Sequence, residues 1–221
     1  VAGTITAIKR QKKNRTRVNI YLDGAYALST EKILALGLHI GQHLADAQIE
    51  ELKERDAEEL ALRRAVRLLS RRPRSEAELR RNFERHGTLA SVQGKVLDRL
   101  RQRGLVDDAV FASTWVENRR EFRPKGILAL RAELRQKGIP RQAIDAALEG
   151  YDEEQAAISA GRKAGRRWQG LPEDVFRHRL QNHLLRRGFS YSVISSVVRE
   201  LWRELAAGED ESEAATWRHN G

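Results

Sequence analysis

Two sets of cationic side chains occupy matching places in this 221-residue chain. Arg71, Arg72 and Arg74 bracket Pro73, and Arg80, Arg81 and Arg85 follow. Further along, Arg119, Arg120, Arg123 and Lys125 bracket Pro124 and Gly126. Arginines at turns suit phosphate or carboxylate binding, because the planar guanidinium makes two parallel hydrogen bonds to either. Such cations can equally sit on a solvated face and stabilise helix C-termini. Their recurrence favours binding, and the nine candidates are Arg71, Arg72, Arg74, Arg80, Arg81, Arg119, Arg120, Arg123 and Lys125.

Other chemistry is poorly provided for. His39 and His43 flank Gly41, a poor platform for a metal pair, and His178 and His183 are five apart on a helix. Asp107-Asp108 is a tight carboxylate pair beside a structural boundary, and helix capping accounts for it. Gly94-Lys95 lacks the earlier glycine of a phosphate-binding loop, so the chain should not hydrolyse nucleotide itself. Without cysteine there is no disulfide framework and no thiolate metal site. The expectation is a non-enzymatic protein with no catalytic residues, no metal and no cofactor. Phe83, Phe111, Trp115, Phe176, Phe189 and Trp202 fall at helix-core spacings and read as packing rather than base stacking. Trp168, beside Arg166 and Arg167, is a candidate interface anchor.

The elements that would hold the cations follow from one phrase used three times. Leu79-x3-Phe83-x3-Gly87, Leu130-x3-Leu134-x3-Gly138 and Leu180-x3-Leu184-x3-Gly188 share a spacing. Apolar residues four apart line one helix face, and the glycine suits the left-handed position that ends a helix. A second apolar pair follows each glycine: Val96 and Leu97, Ala147 and Leu148, Val197 and Val198. Repeated helix–turn–helix units imply a modular, elongated molecule. Three in a row would reach on the order of 60 Å.

Before the repeats the pattern differs. Thr4 to Ile8 has strand character, and Val18, Ile20 and Leu22 alternate with polar residues at the period of a half-buried strand. Asp23-Gly24 supplies a tight hairpin turn, and Lys9 to Arg15 reads as a basic loop. Ser29 would cap a short helix holding Ile33, Leu34 and Leu36, stopped at Gly37. Asp46 would cap a further helix through Ile49 and Leu52. Leu60, Val66, Leu68 and Leu69 mark the first helix of the first repeat, and Ser75-x2-Glu78 is a capping box opening the second.

The predicted fold is mainly α: three tandem three-helix repeats in an elongated array behind a small β-hairpin region. The boundaries are 1–58 for the hairpin region, then 59–108, 109–152 and 153–205 for the repeats. Residues 206–221 read as an acidic, disordered tail.

Net charge is +10, which points toward polyanions. Residues 1–60 balance at nine basic and nine acidic side chains, residues 61–140 hold twenty against nine, and residues 141–221 hold twelve against thirteen. A polyanion is therefore expected on the first two repeats. No apolar run approaches the roughly 20 residues of a membrane helix and no signal-peptide core is present, so a cytosolic, soluble monomer without membrane contact is expected.

Residues 69–79 (Leu-Ser-Arg-Arg-Pro-Arg-Ser-Glu-Ala-Glu-Leu), Gly104-Leu105-Val106-Asp107-Asp108-x2-Phe111-Ala112 and Leu130-x3-Leu134-x2-Lys137-Gly138-Ile139 together resemble the RecX family, bacterial regulators of the RecA recombinase. The match is strong over roughly residues 60–150 and extends through the third repeat. The resemblance implies three tandem three-helix repeats. It implies a protein that lodges in the helical groove of the RecA–DNA filament and inhibits its ATPase and strand exchange, in recombination and DNA repair. The implied partners are RecA and DNA, bound without sequence preference. Two alternatives come from other classes. A repressor-like helix–turn–helix DNA-binding protein would normally dimerise on half-sites, and a helical scaffold would serve some other acidic partner.

Overall fold

The structure is a computed structural model that describes residues 2–219, with side chains through residue 207. It divides into two compact units, residues 1–107 and 108–221. The first unit opens with β1 (Gly3–Arg10), β2 (Arg17–Leu22), β3 (Ala25–Glu31) and β4 (His43–Leu44). They form one sheet in the order β3-β2-β1-β4, antiparallel throughout. The register pairs Ile8 with Ile20, and Ile20 with Leu28. The β2–β3 turn puts Asp23 at φ 47° and Gly24 at φ 85°, the double left-handed geometry that a two-residue hairpin needs. Asp23 also accepts from the Thr4 N–H at 3.0 Å, which ties the turn to β1.

Helix α1 (Asp46–Leu69) serves two cores in sequence. Its first half lays Ile49 and Leu52 against Ile5, Ile20, Leu22 and Leu28 of the sheet. Its second half gives Ala61, Leu62 and Ala65 to the first repeat, packed on Leu79, Phe83, Val96 and Leu97. A four-group polar knot fixes the helix to the sheet. Arg17 forks onto Asp56 at 2.7 and 3.1 Å, Asp56 accepts the Glu31 N–H at 2.8 Å, and Glu31 takes Arg63 at 2.5 Å.

The first repeat is completed by α2 (Glu76–Arg85) and α3 (Ala90–Gln102). In the second unit, α4 (Asp108–Phe122), α5 (Ile127–Gln136) and α6 (Arg141–Leu148) form the second repeat. Then α7 (Glu153–Gly165), α8 (Glu173–Arg186) and α9 (Tyr191–His219) form the third. Each repeat closes its own apolar core.

The three-fold phrase is realised in detail. Gly87, Gly138 and Gly188 have φ of 67°, 79° and 75°. The residue after each glycine donates its N–H back to Phe83, Leu134 or Leu184, at 3.0, 3.0 and 3.4 Å. This is the Schellman closure of a helix C-terminus. Phe83, Leu134 and Leu184 thus fill the core with their side chains and end the helix with their carbonyls. Ser75 caps α2 as its spacing predicts, with Glu78 N donating to Ser75 Oγ at 3.2 Å and Ser75 N to Glu78 Oε2 at 3.4 Å.

Several local expectations need correction. Residues 32–37 form turns rather than a helix, and Ser29 lies inside β3. Strand pairing of Asn19 with Ser29 claims the backbone that a cap would have needed. The domain boundary drawn at 58/59 falls within the continuous helix α1. Ala45 holds the N-cap place of α1, where Gln48 Oε1 accepts the Ala45 N–H at 2.9 Å, and Asp46 is the first helical residue. On α1, Leu60 and Val66 are exposed, and Ala61, Leu62 and Ala65 face the core instead. At the other end α9 runs on past Leu205; beyond the first two positions, the side chains of the tail expected at 206–221 lie outside the described residues.

Candidate polyanion-binding surfaces

The predicted cations divide into two groups. Arg72 forks onto Glu78 with two 2.9 Å bonds, and so supports the carboxylate that completes the Ser75 cap. Arg80 reaches Glu76 at 2.7 Å, and Arg101 comes to the same carboxylate from α3 at 3.0 Å. Burial alone would raise the Glu76 pKa, but those hydrogen bonds outweigh it and leave it lowered. Arg120 pairs with Glu117 at 2.6 Å.

Arg119 and Lys125 both converge on Glu133, which also accepts the Trp115 indole N–H at 2.8 Å. Here too burial works to raise the carboxyl pKa, and the bonds from Lys125, Arg119 and Trp115 overcome it. Arg119 lies over the Trp115 ring at 4.4 Å. These cations hold helices together before they can hold a ligand.

Arg71, Arg74, Arg81 and Arg123 form the second group, with no ion-pair partner among the described residues. Arg74 and Arg81, with Arg85, line a groove of about 460 Å³ on the first repeat, which Glu78 and Glu84 also border. The Arg74 Nε is buried without a hydrogen-bond acceptor.

Arg123 belongs to a larger feature that the sequence reading missed. At the end of α4 the chain meets α7 and the C-terminus of α8 across a cleft of about 890 Å³. Lys163, Arg166 and Arg167 line it from the third repeat, with Arg187 below. Arg187 donates to the Pro124 carbonyl at 2.9 Å. Its pKa is lowered by burial and by the neighbouring Arg123. His183 is lowered as well, by burial first and then by Arg187, Arg186 and Arg167, and its Nε2 is buried without a partner.

The joint behind the cleft is tight. Gly126 N donates to the Arg187 carbonyl at 3.0 Å, and a Cβ on Gly126 would land on the Gly188 carbonyl. Glu153 accepts the Ile127 N–H and the Ser190 hydroxyl, both at 2.9 Å. The Tyr151 hydroxyl donates to the Lys125 carbonyl at 2.8 Å. Burial and the Glu153 carboxylate push the Tyr151 phenol up to about 12, so it remains a donor.

Trp168, the candidate interface anchor, is partly buried: it packs against the third-repeat core and meets His183 edge-on at 5.9 Å. Among the described residues, no group of three or more histidine, aspartate or glutamate side chains is placed to hold a metal. Likewise no helix is long and apolar enough to cross a membrane.

Fold and surface together define a helical-repeat protein with arginine-rich turns behind a small antiparallel sheet. Four family models match it in chain order. They are the regulatory protein RecX N-terminal domain at residues 3–45, and the first, second and third RecX three-helix domains at 61–100, 107–148 and 152–198. The chain is 32% identical over 201 residues to regulatory protein RecX of Bacillus licheniformis, covering 89% of this chain and 76% of the relative. Against the Bacillus subtilis protein of that name it is 32% identical over 220 residues, covering 97% and 83%. A crystal structure of regulatory protein RecX superposes with a TM-score of 0.68 at 30% identity, over 89% of this chain and 98% of that one. RecX from Lactobacillus salivarius gives 0.60 at 21% identity, over 66% and 97%, and so supports the fold alone. This chain belongs to the RecX family of regulatory proteins.

Proposed function

We propose that this chain is a non-enzymatic regulator of the RecA recombinase. It binds the RecA–DNA filament in its helical groove and inhibits ATP hydrolysis, filament growth and strand exchange. The observation that carries the reading is the match of all four RecX domains, in order, along one chain. The free arginines supply a chemistry for it. Arg71, Arg74, Arg81 and Arg123 can take filament carboxylates or DNA phosphates without first giving up an ion pair among the described residues. Arg72, Arg80, Arg119, Arg120 and Lys125 would join them at some expense to their internal partners. Weak patches on two units add through effective concentration once the first is seated.

The test is co-sedimentation with RecA assembled on single-stranded DNA. The wild-type chain should pellet with the filament, less so as salt rises. Reversal of both Arg71→Glu and Arg81→Glu should weaken pelleting at least tenfold with the helical circular dichroism unchanged. Unchanged pelleting removes these residues from the interface, and a wild-type chain that stays in the supernatant refutes filament binding.

A further inference from the structure

We propose that the cleft in the second unit, between the end of α4 and helices α7 and α8, binds single-stranded nucleic acid. Phosphates would sit on Arg123, Lys163, Arg166 and Arg167, and a base would stack on Phe122. The proposal rests on the reading above in taking DNA as part of the target, but it concerns the free protein and stands or falls separately.

Charge is the first ground. Arg123, Lys163, Arg166, Arg167 and Arg187 line the cleft, where Glu121 is the one carboxylate on the wall. None of the five cations has an ion pair among the described residues; the sixth, Arg162, is held by Glu204 at 2.6 Å. Like charges so gathered repel, and the lowered pKa values of Arg187 and His183 register that crowding as well as burial. An arriving anion relieves it.

Arrangement is the second ground. Lys163 and Arg167 are four residues apart on or just past α7, about 6 Å along the axis at the rise of a helix. Arg166 lies beside them, and Arg123 lines the same cleft from the end of α4. Cations spread over several positions suit a chain of phosphates better than a single carboxylate.

Phe122 is the third ground, and it selects the form of nucleic acid. It lines the cleft and is 61% exposed. The other aromatics of α4 have work to do: Phe111 is buried and Trp115 stacks on it at 5.9 Å. Phe122 has no such place in a core. An exposed ring beside a cationic track is how single strands are held without sequence preference, since every unpaired base presents a face to stack. A duplex keeps its bases stacked on one another and cannot offer one. The wall behind is already set by the Arg187–Pro124 bond and the Gly126–Gly188 contact, so little ordering is needed on binding.

The experiment is fluorescence anisotropy of the 221-residue chain, without recombinase, on a labelled oligothymidylate of about 15 nucleotides and on a hairpin duplex of equal length. The expected result is tighter binding to the single strand. Arg166→Glu with Arg167→Glu should raise Kd at least tenfold. It should also flatten the plot of log K against log salt by about 1.4, at about 0.7 per phosphate contact. Phe122→Ala should raise the single-strand Kd about tenfold, leave that slope unchanged and leave the duplex unaffected. A charge-matched control, Arg179→Glu with Arg199→Glu, alters exposed arginines outside the cleft and should change Kd less than twofold. Equal weakening by the control, an inert Phe122→Ala, or equal affinity for the duplex each overturns the proposal. So does failure of the free chain to bind oligothymidylate. If the same preparation still pellets with the filament, the regulatory reading survives that failure.

Discussion

Glu133 accepts from Trp115, Arg119 and Lys125 at once, so two apparent ligand-binding cations are also struts of the second repeat. Replacing it by glutamine should destabilise the second unit by about 1 kcal/mol, since its side chain is 19% exposed and its cationic partners keep some solvent. The pH dependence has a definite sign. Glu133 and Glu76 are held below their ordinary value in the fold, so their stabilisation is complete above the unfolded pKa and is lost as pH falls through the folded one. Melting temperature should stay level down to about pH 5 and drop below about 4.3, with a smaller drop in Glu133→Gln. An identical acid profile for the two proteins would show that Glu133 carries no such linkage. Asp56 is the sharper case. It sits 7% exposed under Arg17 and the Glu31 amide, and Asp56→Ala should cost about 3–5 kcal/mol in urea unfolding, as breaking one side of a buried pair does. Neither hub was legible in the sequence, because Glu133 lies eight residues from Lys125 and Asp56 thirty-nine from Arg17. Counting charges cannot tell a free arginine from one whose partner arrives on another element.

At the scale of elements, what could be read locally was read well. The Asp23-Gly24 turn, the Ser75 capping box and the glycine-ended phrase are each set by a few adjacent residues, and each takes the predicted form. What depends on distant packing was misread. Leu60 and Val66 look like a helix core by hydrophobicity. The face of α1 that meets α3 carries small residues instead, because Ala61 and Ala65 allow close approach. Substitutions at two positions test the glycines. Gly138→Ala forces a Cβ into the left-handed region and should cost about 1–2 kcal/mol, with Gly138→Asn milder. Gly126→Ala has an ordinary φ but no room, since its Cβ meets the Gly188 backbone. It should destabilise the second unit by about 1–3 kcal/mol and weaken any ligand held in the cleft beside it. A Gly126→Ala protein as stable as wild type would show that the two repeats are not rigidly docked.

For the whole molecule, charge explains what the sequence concealed. The window 141–221 sums to −1, yet residues 153–205 alone hold ten basic and six acidic side chains. Acidic flanks at 141–152 and 206–221 cancel that surplus on paper, whereas folding brings Lys163, Arg166, Arg167 and Arg187 together with Arg123 from the preceding repeat. The family, the repeats and the arginine-rich turns were all visible in the chain; the shared cleft needed the packing of two repeats. Regulation of a filament differs from competition for DNA in its stoichiometry, because one bound molecule can halt or unseat many subunits. The decisive measurement is therefore ATP hydrolysis by RecA on single-stranded DNA, with this chain titrated well below one per recombinase monomer. Filament-level regulation predicts inhibition at those ratios. A rate that stays constant until the added chain is abundant enough to coat the DNA would contradict it.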